Sequence, residues 1–261
     1  MTLILGLICA DGVVLASDSQ ATYTTGGQPV KGYIRKLIPQ WSNVVWAASG
    51  NVGVAQHIER VFTSHQQDHQ KGLGDRLRFD NRSADTVTKE ICDVLCTTLR
   101  SYFQQELLAA PNSSPWTSFL LCGWVKDGPL LFEVGADLII TDHRETGYAA
   151  IGSGDIFPYF ALASLAHHNV RECRLTRATL IAHRVVDDAI RVAAFGLGPP
   201  VQMITIPAGG QAQVRDDIKA IEDGVKEWKL IESDALEKHL DQSAGNVDKT
   251  ESTSTSPPGD G

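Results

Sequence analysis

At 261 residues and 28.3 kDa, with 43% hydrophobic and 21% charged residues, the chain can bury a full core and has the composition of a soluble protein with one main domain. Its formal charge of -8 and 23 scattered basic residues argue against a polyanionic partner, so nucleic acid is not expected. No apolar stretch approaches the ~20 residues of a membrane span, and no membrane partner is expected.

The opening LILGLICA has the apolar character of a leader segment, but no basic residues precede it and Asp11 interrupts it. It is expected to be a buried strand, and the sequons at Asn81 and Asn112 then carry no weight. Residues 2–9 and 13–17 flank an Asp11-Gly12 turn as a β-hairpin. Residues 34–38 and 43–48 repeat the pattern around Ser42-Asn43. Helical periodicity follows at Val54, Ile58, Val61 and Phe62, then over 84–108 at Val87, Ile91, Val94, Leu95, Leu99 and Phe103, with a polar linker over 67–83. These two apolar faces are candidates for contacts between subunits.

Three strand-like runs come next, SFLLCGWV, PLLFEVG and DLIITDH, the first two joined by a turn at Lys126-Asp127-Gly128-Pro129. The stretch from Tyr148 to His168 passes from strand to helix, 175–195 is a second helix, and PVQMITI is a closing strand. The order of sheet, helix pair, sheet, helix pair, strand predicts two stacked antiparallel sheets with helices outside, a four-layer α-β-β-α sandwich of the α+β class. Residues 216–241 are expected to form an amphipathic helix, and the low-complexity tail from Ser243 to be disordered. The domains expected are 2–206 for the sandwich, 207–242 for a helical extension and 243–261 for the tail.

The five cysteines, Cys9, Cys92, Cys96, Cys122 and Cys173, form no CxxC and leave one over from any pairing, the usage of reduced thiols in a cytoplasmic protein. His65 with His69 and His167 with His168 have no acidic or cysteine partner at ligand spacing and read as surface residues, so no metal is expected. No glycine-rich phosphate loop followed by Lys-Ser or Lys-Thr is present, and no cofactor is expected.

Candidate chemistry begins at Thr2. A Met followed by a small residue is normally trimmed, which would leave a threonine amine beside its own hydroxyl. An α-amino group of pKa about 7.7–8.0 can act as general base for that hydroxyl. The hairpin returns Asp18 to the Thr2 strand. Lys36, on the next strand, would be held by Asp18 and would lower the pKa of a neighbouring amine. Gly50 stands at a strand-to-helix transition, where a backbone N–H can approach an oxyanion and the helix N-terminus adds positive potential. Each residue also has a plain structural reading: Asp18 and Lys36 as a surface ion pair, Gly50 as a helix-start glycine.

The stretches TLILGLICADGVVLASDSQAT, VKGYIRKL, AASGNVGVAQ and YAAIGSG resemble, in that order, the β-type subunits of the proteasome and their bacterial relative HslV. The resemblance covers residues 2 to about 206. It implies the N-terminal-nucleophile (Ntn) hydrolase fold, Thr2 as nucleophile, Asp18 and Lys36 as the charge pair that tunes it, Gly50 as oxyanion donor and Ser153 as a hydrogen-bonding neighbour of the Thr2 amine. It further implies that Thr22 holds the substrate backbone and that Ala21, Ile34, Ala48 and Val52 shape the pocket before the scissile bond. The small side chains at Ala21 and Ala48 suggest a roomy, uncharged pocket and cleavage after hydrophobic residues. Stacked rings of identical subunits, six or seven in each, polypeptide substrates and an ATP-driven unfoldase as partner are the remaining implications.

The departures are equally specific. β-Type subunits usually carry an Asp followed by a Ser near the end of the last long helix, to support the residue matching Ser153; here RVAAFGLGPP has neither, and Asp187 and Asp188 lie about two turns earlier. The linker at 67–83, the helix at 216–241 and the tail are unlike a short HslV chain and fit a bacterial proteasome homologue. Three functions stay open on sequence: a self-compartmentalising threonine endopeptidase, a catalytically silent ring subunit, and an amidase of the same fold acting on a small non-peptide amide.

Overall fold

The structure, a computed structural model, describes residues 2–25, 28–72, 79–109, 116–193 and 196–251. Along the chain the elements are β1 (Ile4–Cys9), β2 (Gly12–Ser17), β3 (Gln20–Thr25), β4 (Gln28–Tyr33), β5 (Leu37–Ile38), β6 (Val44–Gly50), α1 (Val52–Gly72) and α2 (Ala84–Ala109). They continue with β7 (Thr117–Val125), β8 (Gly128–Val134), β9 (Ile140–Asp142), β10 (Tyr148–Ile151), α3 (Ile156–Ser164), α4 (Leu175–Val192), β11 (Gln202–Pro207), β12 (Gln213–Val214) and α5 (Ile218–Glu251).

The β1–β2 hairpin pairs from Ile4 opposite Ser17 to Cys9 opposite Gly12. All residues of both strands are buried. Burial on both faces explains why the sequence runs apolar here without the alternation of a half-solvated strand. β10 adds to the free edge of β1 and β11 to that of β2, giving an antiparallel sheet in the order β10-β1-β2-β11-β12. The second sheet runs β5-β6-β7-β8-β9, also antiparallel.

Side-chain alternation then builds the layers. Val45 and Ala47 of β6, Leu120 and Cys122 of β7 and Leu131 of β8 meet Ile4, Ile8, Val13, Leu15, Ile204 and Ile206 between the sheets. The opposite faces of the same strands, with Val44, Trp46, Phe119, Leu121 and Phe132, pack on Val54, Ile58 and Phe62 of α1 and Val87, Ile91, Leu95 and Leu99 of α2. α4 covers β1, β2 and β11, with α3 beside it. This is the expected α-β-β-α sandwich. The apolar faces of α1 and α2 are spent on the second sheet, which corrects the expectation that they serve contacts between subunits.

Other differences have local causes. β3 and β4 form a separate two-stranded hairpin, with Ala21 opposite Gly32 and Thr22 opposite Lys31; a Thr- and Tyr-rich stretch about Gly26-Gly27 signals it, although an apolar periodicity search passes over it. α1 runs on to Gly72 through the first part of the expected linker; residues 73–78 of that linker lie outside the described residues. β12 pairs with β11 through Ile204 opposite Val214, so the first sheet draws on residues beyond 206.

The chain divides into two compact units, Met1–Ile218 and Lys219–Gly261. The second, taken by itself, is helical through Glu251, past the point where disorder was expected. Between Ile218 and Pro257 the sequence has no proline, and an established helix extends at little cost. Residues 252–261 lie outside the described residues.

Leu120 is fully buried between the sheets. Leu120→Ala is expected to lower unfolding free energy by about 2–5 kcal/mol, read as a lower urea midpoint with an unchanged slope.

Candidate active site

The site is assembled where three strand ends converge. β1 begins just after Thr2, and the chain following β2 and β10 clamps Thr2-Leu3 from both sides. The Asp18 N–H donates to the Leu3 carbonyl (3.2 Å), and the Gly154 N–H donates to the Thr2 carbonyl (3.1 Å). Gly152 has φ +107°, and a Cβ there would lie 2.2 Å from the Thr2 carbonyl oxygen, so only glycine lets this turn pass so close to Thr2. The turn places Ser153 so that the Thr2 backbone N–H donates to its Oγ at 3.2 Å.

Asp18 is fully buried and almost completely satisfied. Its Oδ1 accepts from the Leu3 N–H (2.9 Å) and Lys36 Nζ (2.6 Å); its Oδ2 accepts from the Gln20 N–H (3.0 Å) and the Gly198 N–H (3.3 Å). Lys36 Nζ also donates to Thr2 Oγ1 at 3.3 Å. The pair is therefore not a surface ion pair: the two side chains are 2% and 0% exposed. Burial pushes the Lys36 ammonium below its ordinary pKa of 10.5, and the Asp18 carboxylate partly holds it up. Gln202 fixes the lysine's segment from β11, accepting from the Lys36 N–H at 3.0 Å and donating to the Ile34 carbonyl at 2.6 Å.

The third wall is the β6–α1 junction. Gly50 pairs with Thr117 at the end of β6, with φ +126°; a Cβ there would lie 2.0 Å from the Trp116 carbonyl oxygen. Asn51 caps α1, its Oδ1 accepting from the N–H groups of Gly53 (2.8 Å) and Val54 (3.4 Å). The positive end of α1 is thereby brought to the cavity edge.

A cavity of about 620 Å³ opens on Thr2. Of the ten residues singled out from sequence, Thr2, Lys36, Gly50, Ser153, Ala21, Thr22, Ile34, Ala48 and Val52 all line it, and Asp18 stands directly behind Lys36. Trp46, Gln56, Glu59 and Trp116 also line it and were not singled out. Glu59 and Arg35, which also lines it, make the cavity charged, against the expectation of an uncharged one. Its signal was available: Val52, Ala55 and Glu59 share a helical face. Gly198 and Gln202 had none, since their roles depend on contacts over more than 160 residues of sequence.

Ser153 gains no carboxylate support from α4. Asp187 pairs with Arg191 at 2.9 Å and Asp188 lies 3.7 Å from Arg184. Phe195, near which the missing Asp and Ser would stand, lies outside the described residues. The five cysteines are unpaired and buried. Burial pushes the Cys9 and Cys92 thiols up to about 12, which leaves them protonated and poor nucleophiles near neutral pH. Among the described residues, no three His, Cys, Asp or Glu converge as metal ligands. Nor is any helix of the described residues long and apolar enough to cross a membrane.

Two stacked antiparallel sheets between helix pairs, with a threonine at the mouth of the sandwich, define the layered Ntn-hydrolase class. Residues 2–198 match the profile of the Proteasome family, described as proteasome subunit, and the chain belongs to that family. It is similar to a proteasome subunit beta of Methanococcus vannielii, 26% identical over 218 residues that cover 83% of this chain and 88% of that protein. A proteasome subunit beta of Methanohalophilus mahii is 28% identical over 216 residues, 82% of this chain and 90% of the other. One of Stackebrandtia nassauensis is 26% identical over 240 residues, 88% and 79% respectively. The likeness is thus to β-type subunits, and it supports a proteasome-type peptidase or ring subunit.

Asp18→Ala leaves the Lys36 ammonium buried without its counter-charge and is expected to cost about 3–5 kcal/mol. The double variant Asp18→Ala/Lys36→Met should recover much of that loss in urea unfolding. The pH dependence has a defined sign. Between the lowered folded-state pKa of Lys36 and 10.5 the unfolded chain holds more protons, so the Lys36 contribution makes stability rise with pH across that window. Lys36→Met should remove that part of the slope.

Proposed function

We propose that the chain is a threonine-type endopeptidase acting through Thr2 once Met1 is removed. The observation that carries this reading is the contact of Lys36 Nζ with both Thr2 Oγ1 (3.3 Å) and the buried Asp18 (2.6 Å). A lysine held in this way has its charge directed at the one hydroxyl that also sits beside a backbone nitrogen capable of becoming a free amine.

With Met1 present that nitrogen is a peptide N–H and has no basicity. Removal of Met1 makes it an amine, which accepts the Oγ1 proton as Oγ1 attacks the scissile carbonyl carbon. The adjacent ammonium lowers the amine's pKa and stabilises developing charge on Oγ1. The carbonyl oxygen becomes an oxyanion, for which the Gly50 N–H and the positive end of α1 are the stabilising groups. Collapse breaks the C–N bond, and the protonated amine returns its proton to the leaving nitrogen. The resulting acyl ester on Oγ1 is attacked by water, again with the amine as base. This releases the second peptide and restores the hydroxyl. Ser153, beside the Thr2 nitrogen, orients the amine. Thr22 and the β3 edge hold the substrate backbone extended, while Ala21, Ile34, Ala48 and Val52 line the side-chain pocket.

The family supports assembly into stacked homo-oligomeric rings that enclose the site; a cytoplasmic location accords with the buried thiols. A second reading, a silent ring subunit, is favoured by one observation: the α4 carboxylates Asp187 and Asp188 lie against arginines, and among the described residues no carboxylate supports Ser153.

Turnover of fluorogenic peptides separates the two. A peptidase should lose all activity in Thr2→Ala and retain some in Thr2→Ser. Lys36→Ala should lose at least about 100-fold in kcat, the scale of one removed electrostatic group. The acid limb of the kcat/KM profile should report an amine with a pKa below the usual 7.7–8.0, activity falling as pH drops through it. A trimmed wild-type protein with no turnover favours the silent subunit.

A further inference from the structure

We infer that the cavity beside Thr2 selects a basic side chain, lysine or arginine, on the residue whose carbonyl is cleaved, with Glu59 as the group that recognises it. This rests on the peptidase reading and specifies its substrate class.

The cavity has a mixed polar and apolar lining in which, among the described residues, Glu59 is the one carboxylate. Ile38, Trp46, Ala48, Val52 and Ala55 supply the apolar walls. Val52, Ala55 and Glu59 stand at i, i+3 and i+7 on one face of α1, so the Glu59 backbone lies about 10 Å farther along the helix than Val52, which adjoins the oxyanion position. Long helical side chains lean toward the N-terminus, which carries the Glu59 carboxylate back over Ala55 toward the cavity. A lysine or arginine fits this arrangement, laying its methylene stem along the apolar walls with its cationic head at the carboxylate. Arginine can meet the carboxylate with two parallel hydrogen bonds.

The other charges in the cavity do not satisfy Glu59. Lys36 is paired with Asp18 at 2.6 Å, and Arg35 directs its Nε to the Leu37 carbonyl at 3.0 Å. Among the described residues, Glu59 makes no ion pair; its recorded contact is through its backbone carbonyl, which accepts from Thr63 Oγ1 at 2.8 Å. It is exposed and therefore open to an incoming ligand. A chain of net charge -8 adds a field of the sign that draws cationic substrates.

The test is the ratio of kcat/KM for peptides that differ only in an arginyl, leucyl or glutamyl residue at the cleavage site, with the Met1-trimmed, full-length protein. Wild type is expected to prefer arginyl over leucyl. Glu59→Gln should lower the arginyl-to-leucyl ratio about tenfold, Glu59→Asp should restore part of it, and Glu59→Lys should turn the preference toward glutamyl peptides. An arginyl-to-leucyl ratio that Glu59→Gln leaves unchanged, or a wild type that prefers leucyl or glutamyl peptides, overturns the inference while leaving the peptidase reading standing. Absence of turnover with all three peptides overturns both.

Discussion

A lysine and an aspartate buried together at the end of a sandwich determine much of what this chain can be. An isolated buried ammonium costs several kcal/mol, and Asp18 offsets that only because its own remaining lone pairs are taken up by backbone N–H groups. Those donors come from Leu3 just ahead of β1, from Gln20 at the start of β3 and from Gly198 ahead of β11. The charge pair therefore ties together segments that are remote in sequence, and the hydroxyl it faces belongs to the residue its own partners hold in place.

The stacking of the sheets sets where this pair can sit. Leucine, isoleucine and valine fill the space between the sheets, and the polar constellation lies at one end of them, where β1 begins and β2 and β6 finish. The same end opens to the cavity, so the buried charges lie behind Thr2 and the exposed groups lie in front of it. Gly50 and Gly152 allow backbone to approach at 2.0–2.2 Å from where a Cβ would be, and both approaches bound the threonine's surroundings. The fold thus supplies rigid strand ends for the reacting groups and a helix face for the pocket.

The fold was legible where the physics is local. The Asp11-Gly12 turn between two apolar runs specifies the β1–β2 hairpin, and the periodic Val87, Ile91, Leu95 and Leu99 specify α2 and its buried face. The sandwich follows from element order. β3 and β4 were hidden because their residues are polar and pair only with each other. The burial of Asp18 and Lys36 could not be read, because it depends on Gly198 and Gln202, which approach only once the sheet has formed. Thr2 was legible from its place after Met1, whereas the roles of Ser153 and Thr22 came from likeness to proteasome β subunits. The hairpin geometry brought Asp18 to the Thr2 strand, and Lys36 followed only from the strand expected next along the chain. Glu59 follows Val52 and Ala55 on one face of α1, a helical spacing legible in the sequence.

The central claim is that the Thr2 hydroxyl and its own freed nitrogen form one reactive unit. It is tested most directly by intact-mass analysis of the purified protein before and after a peptide epoxyketone, a reagent that must react with both groups to give its stable ring adduct. The account predicts a chain lacking Met1 that gains one adduct, and no adduct on Thr2→Ala. A chain that keeps Met1, or one that is trimmed and takes no adduct, contradicts it.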